Sequence, residues 1–203
     1  MSNQQKGIAI GSGSGAVVGG VIGKVTGNNT ALGTILGAVM GGVAGGLIST
    51  KMDRKTERIK SEIPTAEVKR VGEGINVTFD EKSGLYFGFA KIDINKNSGE
   101  TLEKFEKILK KDHNVDILIE GHTDNIGPDT FNMELSHKRA LAVENHFIKA
   151  GISRDRLTIK WYGKNQPRYP NNSPSNRSKN RRVELAITAN EKMKEESRKQ
   201  ANQ

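Results

Sequence analysis

Glycine recurs at every fourth position through the first quarter of this chain, at Gly11, Gly15, Gly19 and Gly23 and again at Gly33, Gly37, Gly41 and Gly45. On a helix this spacing aligns the glycines on one bare face, which lets two backbones approach closely. In water the same residues cost a helix about 1 kcal/mol each relative to alanine. The segment is therefore expected to fold against a second helix or in a membrane. Two uncharged runs, residues 7–23 and 31–50, flank a polar break holding Lys24, Asn28 and Asn29, and together they predict a hairpin of apolar segments. At about 1.5 Å of rise per residue the second run reaches roughly 28 to 30 Å, enough to cross a hydrocarbon core. Val17, Val18, Ile22, Leu32, Ile35, Leu36, Val39 and Ile48 set the segment apart from a flexible Gly/Ser linker.

Most of the 23 glycines sit in this segment and only 34% of all residues are hydrophobic, so the core is expected to come from residues beyond Asp53. The length suits one domain with an appendage. A net charge of +9 admits nucleic acid, anionic lipid or a carboxylate-bearing polymer as partner. The absence of cysteine excludes thiol catalysis, disulfides and cysteine-ligated zinc. Residues 1–6 lack the order of a secretory signal, and a lipoprotein needs a cysteine at its mature start. An export signal and a lipid-bearing cysteine are thus expected outside residues 1–203 or not at all.

Residues 52–60 turn charged and Pro64 stops any helix, so 52–65 reads as a linker. Residues 66–79 are strand-like, with Gly72 and Gly74 suggesting a turn inside them. Leu102, Phe105, Ile108 and Leu109 give 98–111 a helical period, and 115–120 alternates as a strand. A second helix over 132–150 should stop at Gly151, followed by strands at 157–162 and 182–187. Four units follow: 1–51, an apolar membrane-associated hairpin; 52–65, a linker; 66–189, a domain of helices on one sheet face; and 190–203, a charged tail.

Leu135, Arg139, Val143 and Phe147 stand four apart on the second helix, so an arginine interrupts an apolar stripe. Its guanidinium keeps its charge and needs a carboxylate, a carbonyl or an anionic ligand. Asp124 is the obvious carboxylate, in the turn-rich loop 121–128 at a strand end, where sites collect. From spacing alone, a structural salt bridge between Asp124 and Arg139 stands beside a ligand-binding role.

The runs IEGHTDNIG, FNMELSHKRALAVENHFIKAG, RLTIKWYGKNQP and NRSKNRRVELAI occur in the order and spacing of the OmpA-like C-terminal domain, which residues 68–187 resemble. LYFGFAKIDI is similar to the start of that domain in the peptidoglycan-associated lipoprotein, and the N-terminal part resembles glycine-zipper lipoproteins. The resemblance implies an α+β fold, a βαβαββ sandwich with helices packed on a mixed sheet, preceded by a glycine-zipper helical hairpin. It also implies a periplasmic place at the outer membrane and non-covalent binding of peptidoglycan stems of the diaminopimelate type. The family's ligand-holding aspartate and arginine match Asp124 and Arg139; further contacts carried over are Phe89, Asn125, Asn132, Leu135 and Arg182. Two departures stand out: Ala90 replaces a polar residue, and Asn176-Arg177 replaces the usual Gly-Arg. Residues 7–50 would meet the bacterial membrane, with homo-oligomers through the same glycine faces.

Other chemistries find less. His113, His122, His137 and His146 lack metal-ligand spacing, and no cofactor or metal is expected. Ser136 and His137 adjoin on a helix, where side chains diverge. Gly11 to Gly15 lacks the strand and the Gly-Lys-Ser/Thr of a phosphate loop. Arg177, Lys179, Arg181 and Arg182 form a basic cluster without stacking aromatics, so no nucleic-acid partner is expected. A motility stator needs an intramembrane acid, and no Asp or Glu precedes Asp53. A wall-acting hydrolase needs a paired acid and base, whereas the 121–128 loop offers one carboxylate facing an arginine. Binding is expected rather than turnover, with a wall-associated enzyme or an assembly component anchored to the wall as the alternatives.

Overall fold

Gly72 adopts a φ of +50°, a conformation glycine takes without steric cost, and there the chain folds back into a hairpin. Strands β1 (Glu67–Val71) and β2 (Gly74–Phe79) pair antiparallel across this two-residue turn. The computed structural model describes residues 42–80 and 96–203. Helix α2 (Lys96–Lys111), strand β3 (Val115–Gly121), helix α3 (Asp129–Lys149), strand β4 (Leu157–Trp161), the short helix α4 (Pro174–Asn180), strand β5 (Val183–Ala189) and helix α5 (Glu191–Ala201) follow. The sheet order is β1-β2-β5-β3-β4. Central β5 runs antiparallel to β2 and β3, while β4 lies parallel to β3 after the α3 crossover. A mixed sheet with helices packed on it is the α+β class expected.

One sheet face makes the core. Ile75, Val77 and Phe79, Ile117 and Ile119, and Leu185 and Ile187 are all buried there. Phe79 meets Phe105 of α2 edge-on at 5.8 Å, and Phe105 meets Phe147 of α3 at 6.0 Å. Such ring pairs add about 0.5 to 1.5 kcal/mol beyond area burial. The α3 stripe of Leu135, Arg139, Val143 and Phe147 is buried throughout. The helix ends as expected, with Gly151 just beyond its cap at a φ of +91°.

Two expectations are corrected. Residues 52–65 are not a linker: helix α1 (Gly42–Glu62) runs through most of them, burying Gly45, Ile48, Met52, Thr56 and Ile59 along one stripe. Ile48, Met52 and Ile59 join the same core as the sheet, each worth about 1.5 to 3 kcal/mol of burial. The charged residues of α1 lie off this buried stripe, so its composition reads as solvent-borne. Nor is 190–203 a free tail. Asn190 caps α5 by accepting a hydrogen bond from the Met193 amide at 3.1 Å, and Met193 and Ser197 are buried. Among the described residues no helix is long and apolar enough to cross a membrane. Residues 1–41 of the expected hairpin lie outside the described residues.

Candidate functional site

Strand β3 ends against α3. An added Cβ on Gly121 would stand 2.1 Å from the Ser136 backbone oxygen, so only glycine allows strand and helix to come this close. The loop beyond is tied on two sides: the His122 amide donates to the Arg182 carbonyl at 3.0 Å, and the Thr123 amide to that of Gly163 at 2.9 Å. Asn132, in the first turn of α3, closes the loop by directing its amide group at the carbonyls of Ile126 (3.0 Å), Gly127 (3.3 Å) and Pro128 (3.2 Å). Gly127 takes a φ of +95°, and Lys164 clamps the loop through the Gly127 carbonyl at 3.1 Å and the Asp129 carboxylate at 2.9 Å.

This framework holds a small cleft open to solvent, well short of the pockets that enclose whole small molecules. It suits one end of a larger ligand. Asp124, Arg139, Arg181 and Asn132 supply its polar lining, and Ile126, Phe131 and Leu135 its apolar wall. Ile126 and Phe131 are 45% and 42% exposed at its rim, whereas Asp124 is 3% and Arg139 0% exposed. The charges that matter are thus held away from bulk water, where they act more strongly.

Asp124 makes its ion pair with Arg181, Oδ2 to Nη1 at 2.9 Å, rather than with Arg139. Its other oxygen accepts the Ile126 amide at 3.1 Å. Arg139 donates to the His122 carbonyl at 3.4 Å. In place of an Asp124 to Arg139 salt bridge, Asp124 pairs with Arg181 while Arg139 lines the same cleft. Among the described residues no group of three His, Asp or Glu side chains is arranged to hold a metal ion.

His122 lies beneath this site, 1% exposed and stacked on Tyr162 at 5.5 Å. Among the described residues neither ring nitrogen finds a hydrogen-bond partner, and Glu120 Oε2 is 3.9 Å from Nε2. Burial, helped by the nearby Arg182 charge, lowers the pKa of His122 from 6.5 to about 3. Below pH 6.5 the unfolded chain takes up a proton here that the folded protein refuses until about pH 3. The stability contributed is complete above 6.5 and is lost as the pH falls toward 3, at about 1.4 kcal/mol per pH unit. His122→Phe keeps the stacked ring and removes the titration. Unfolding free energies between pH 7 and pH 4 should fall less steeply in this variant than in the wild type, and parallel curves would contradict the assignment.

The sequence matches the OmpA family over residues 86–181 and the glycine zipper over residues 10–56. This chain carries an OmpA-family domain behind a glycine zipper. Its OmpA-family domain is 35% identical over 98 residues to the peptidoglycan-associated lipoprotein of Buchnera aphidicola, covering 48% of this chain and 57% of that protein. It is 32% identical over 111 residues to the outer-membrane lipoprotein YfiB of Pseudomonas aeruginosa, covering 55% of this chain and 66% of that protein. The chain spans only 36% of the outer membrane porin F of Pseudomonas fluorescens. Among solved structures, the periplasmic domain of Helicobacter pylori MotB superposes with a TM-score of 0.56 at 26% identity, covering 65% of this chain and 84% of that one.

Within the OmpA-family domain, Asp124, Arg139, Asn132 and Leu135 come together in one cleft. Asn125 neighbours it but is exposed and does not line it. Phe89 and Ala90 lie outside the described residues. Arg182 is placed elsewhere: it is 2% exposed and pairs with Glu184 at 2.7 Å on the opposite sheet face, with Asn76 donating to the same carboxylate group at 3.1 Å. Burial lowers its pKa and Glu184 opposes the shift. The basic cluster turns to four different partners. Arg177 donates to the Asn171 carbonyl, Lys179 stands 4.7 Å from the centre of the Tyr169 ring, Arg181 meets Asp124 and Arg182 meets Glu184. Arg181, named in the sequence only as part of the basic cluster, is the further residue that lines the cleft.

Proposed function

We propose that this chain binds the peptide stems of peptidoglycan non-covalently and tethers the bacterial outer membrane to the wall from its periplasmic face. The observation that carries this reading is a buried carboxylate, Asp124, and a buried guanidinium, Arg139, lining one small open cleft. Diaminopimelate in an uncross-linked stem offers an ammonium and a carboxylate on one carbon. Asp124 suits the ammonium, and Arg139 suits the carboxylate through two parallel charge-assisted hydrogen bonds. Asn132 holds the loop that carries Asp124, and Leu135 supplies an apolar wall for the methylenes between. Asn125, beside the cleft, and Phe89 remain proposed contacts. The name of the peptidoglycan-associated relative, and the 35% identity to it, support the same reading.

The chain acts as a binder rather than an enzyme, because among the described residues that line the cleft Asp124 is the single carboxylate, with no second group to complete an acid and base pair. The glycine zipper is the membrane-associated part, and its bare helix faces would also allow copies of the chain to associate. Incubation with purified sacculi tests the function. The chain should sediment with them, free diaminopimelate should compete it off, and no wall fragments should be released. Steady release of fragments would make it an enzyme, and sedimentation indifferent to diaminopimelate would place the ligand elsewhere.

A further inference from the structure

The second glycine run, residues 31–50, is divided by the fold. Residues 42–50 form the start of α1, and they are fastened to the domain. Gly45 and Ile48 begin the buried stripe that continues through Met52, Thr56 and Ile59. Ser49 accepts two hydrogen bonds from Arg70 of β1, at its carbonyl oxygen (3.2 Å) and its hydroxyl (3.0 Å). Two residues further on, Lys51 donates to the Ser197 hydroxyl of α5 at 3.3 Å. Gly42 takes a φ of +65°, well outside the helical region. The glycine-zipper match itself runs to residue 56, inside α1.

We propose that residues 42–50 belong to the folded domain when the chain is on a membrane, so that the second glycine run does not cross the bilayer and the membrane holds the chain only through residues upstream of Gly42. The proposal rests on the membrane association argued above. Residues 31–41 alone would extend about 16 Å as a helix, roughly half of a hydrocarbon core, and a segment of that length reaches no deeper than one leaflet. For a bilayer to take residues 42–50 as well, Ile48 would have to leave the core and Ser49 its bonds to Arg70, while Lys51, Asp53 and Arg54 were drawn to the lipid surface. Hydrocarbon offers no donor to replace Arg70. The consequence is positional: the wall-binding domain begins at Gly42, and whatever enters the lipid lies upstream of it.

The chain has no cysteine, so single thiols report cleanly. Val43→Cys falls at a residue 70% exposed, Gly46→Cys at a position where an added Cβ meets nothing within 4 Å, and Lys60→Cys gives a reference on the outward face of α1, where the lysine side chain is 48% exposed. The full chain is mixed with vesicles of phosphatidylethanolamine and phosphatidylglycerol and treated with a membrane-impermeant maleimide. Positions 43 and 46 should label at rates within about twofold of position 60, as water-exposed thiols do. Slowing of both to below about a tenth of that rate, as for thiols buried in hydrocarbon, would overturn the proposal. Flotation on the same samples separates the two readings. Chain that fails to float contradicts the membrane association, whereas floating chain with 43 and 46 protected contradicts only the division of the run.

Discussion

Replacing either Asp124 or Arg139 with alanine is expected to abolish retention on sacculi while leaving the circular-dichroism spectrum close to that of the wild type. Both side chains are almost completely buried in the cleft, so each would meet its half of a zwitterion with little competition from water. Removing one leaves the ligand's opposite charge unmatched in a desolvated site, a loss of about 2 to 5 kcal/mol, or roughly 30-fold to several thousand-fold in affinity. The two variants should differ in what else they disturb. Asp124→Ala also removes one ion-pair partner of Arg181, which keeps 17% of its side-chain surface in water. Arg139→Ala empties a buried volume on α3, so some loss of stability is expected as well. Arg139→Lys separates the effects: it retains charge and most of the bulk but lacks the planar fork, and should fold well and bind poorly. Variants at both positions that fold and are retained like the wild type would reduce the pair to a structural feature.

The second large effect is on folding. Gly121→Ala should cost about 3 kcal/mol or more, because its methyl group would sit 2.1 Å from a backbone oxygen of α3 and neither strand nor helix can give way without shifting the core between them. Loss on this scale is a large share of the roughly 5 to 15 kcal/mol that holds a domain folded. Gly99→Ala provides the contrast. It lies in α2 with nothing within 4 Å of the added carbon, and should stabilise by about 0.5 to 1 kcal/mol through helix propensity. Denaturant unfolding of both variants checks the pair. A Gly121→Ala midpoint at or above the wild-type value would mean that the close approach of β3 and α3 is not required.

Much of this architecture is written in local pattern. The Gly72 turn, the apolar period of α2, the stop of α3 at Gly151 and the glycine and proline loop after β3 are all set by residues within a few positions of one another. What escaped depends on distant partners. Helix α1 looks like a linker because its buried stripe is one residue wide in a charged sequence, and it becomes a core element only against the sheet and α5. Helix α5 hides for the same reason, with Met193 and Ser197 the buried positions among eleven mostly charged or polar residues. Helix α4 carried a readable start in Ser173-Pro174, where the serine accepts the Asn176 amide, yet its seven residues lie in what reads as loop.

The cleft was legible to the same degree. Asp124, Asn132, Leu135 and Arg139 lie within sixteen residues of each other on one loop and the helix after it, so loop chemistry and helix period converge on them. Arg181 is 57 residues from the carboxylate it meets. Choosing between Arg181 and Arg182 needs the register of β5, where Val183 and Leu185 face the core and Glu184 faces away. Successive side chains along an extended segment alternate. Arg182 therefore travels with Glu184 to the far face, and the neighbour on the other side of the chain reaches the cleft.

An amide chemical-shift titration of the full chain in detergent micelles with free diaminopimelate reports directly where the ligand sits. Saturable shifts should gather in residues 123–127 and at Asn132, Leu135, Arg139 and Arg181, with none in Asp124→Ala at the same concentrations. Shifts centred on α4 or on the Arg182 and Glu184 face, or a wild-type pattern persisting in Asp124→Ala, would contradict a cleft built on Asp124 and Arg139.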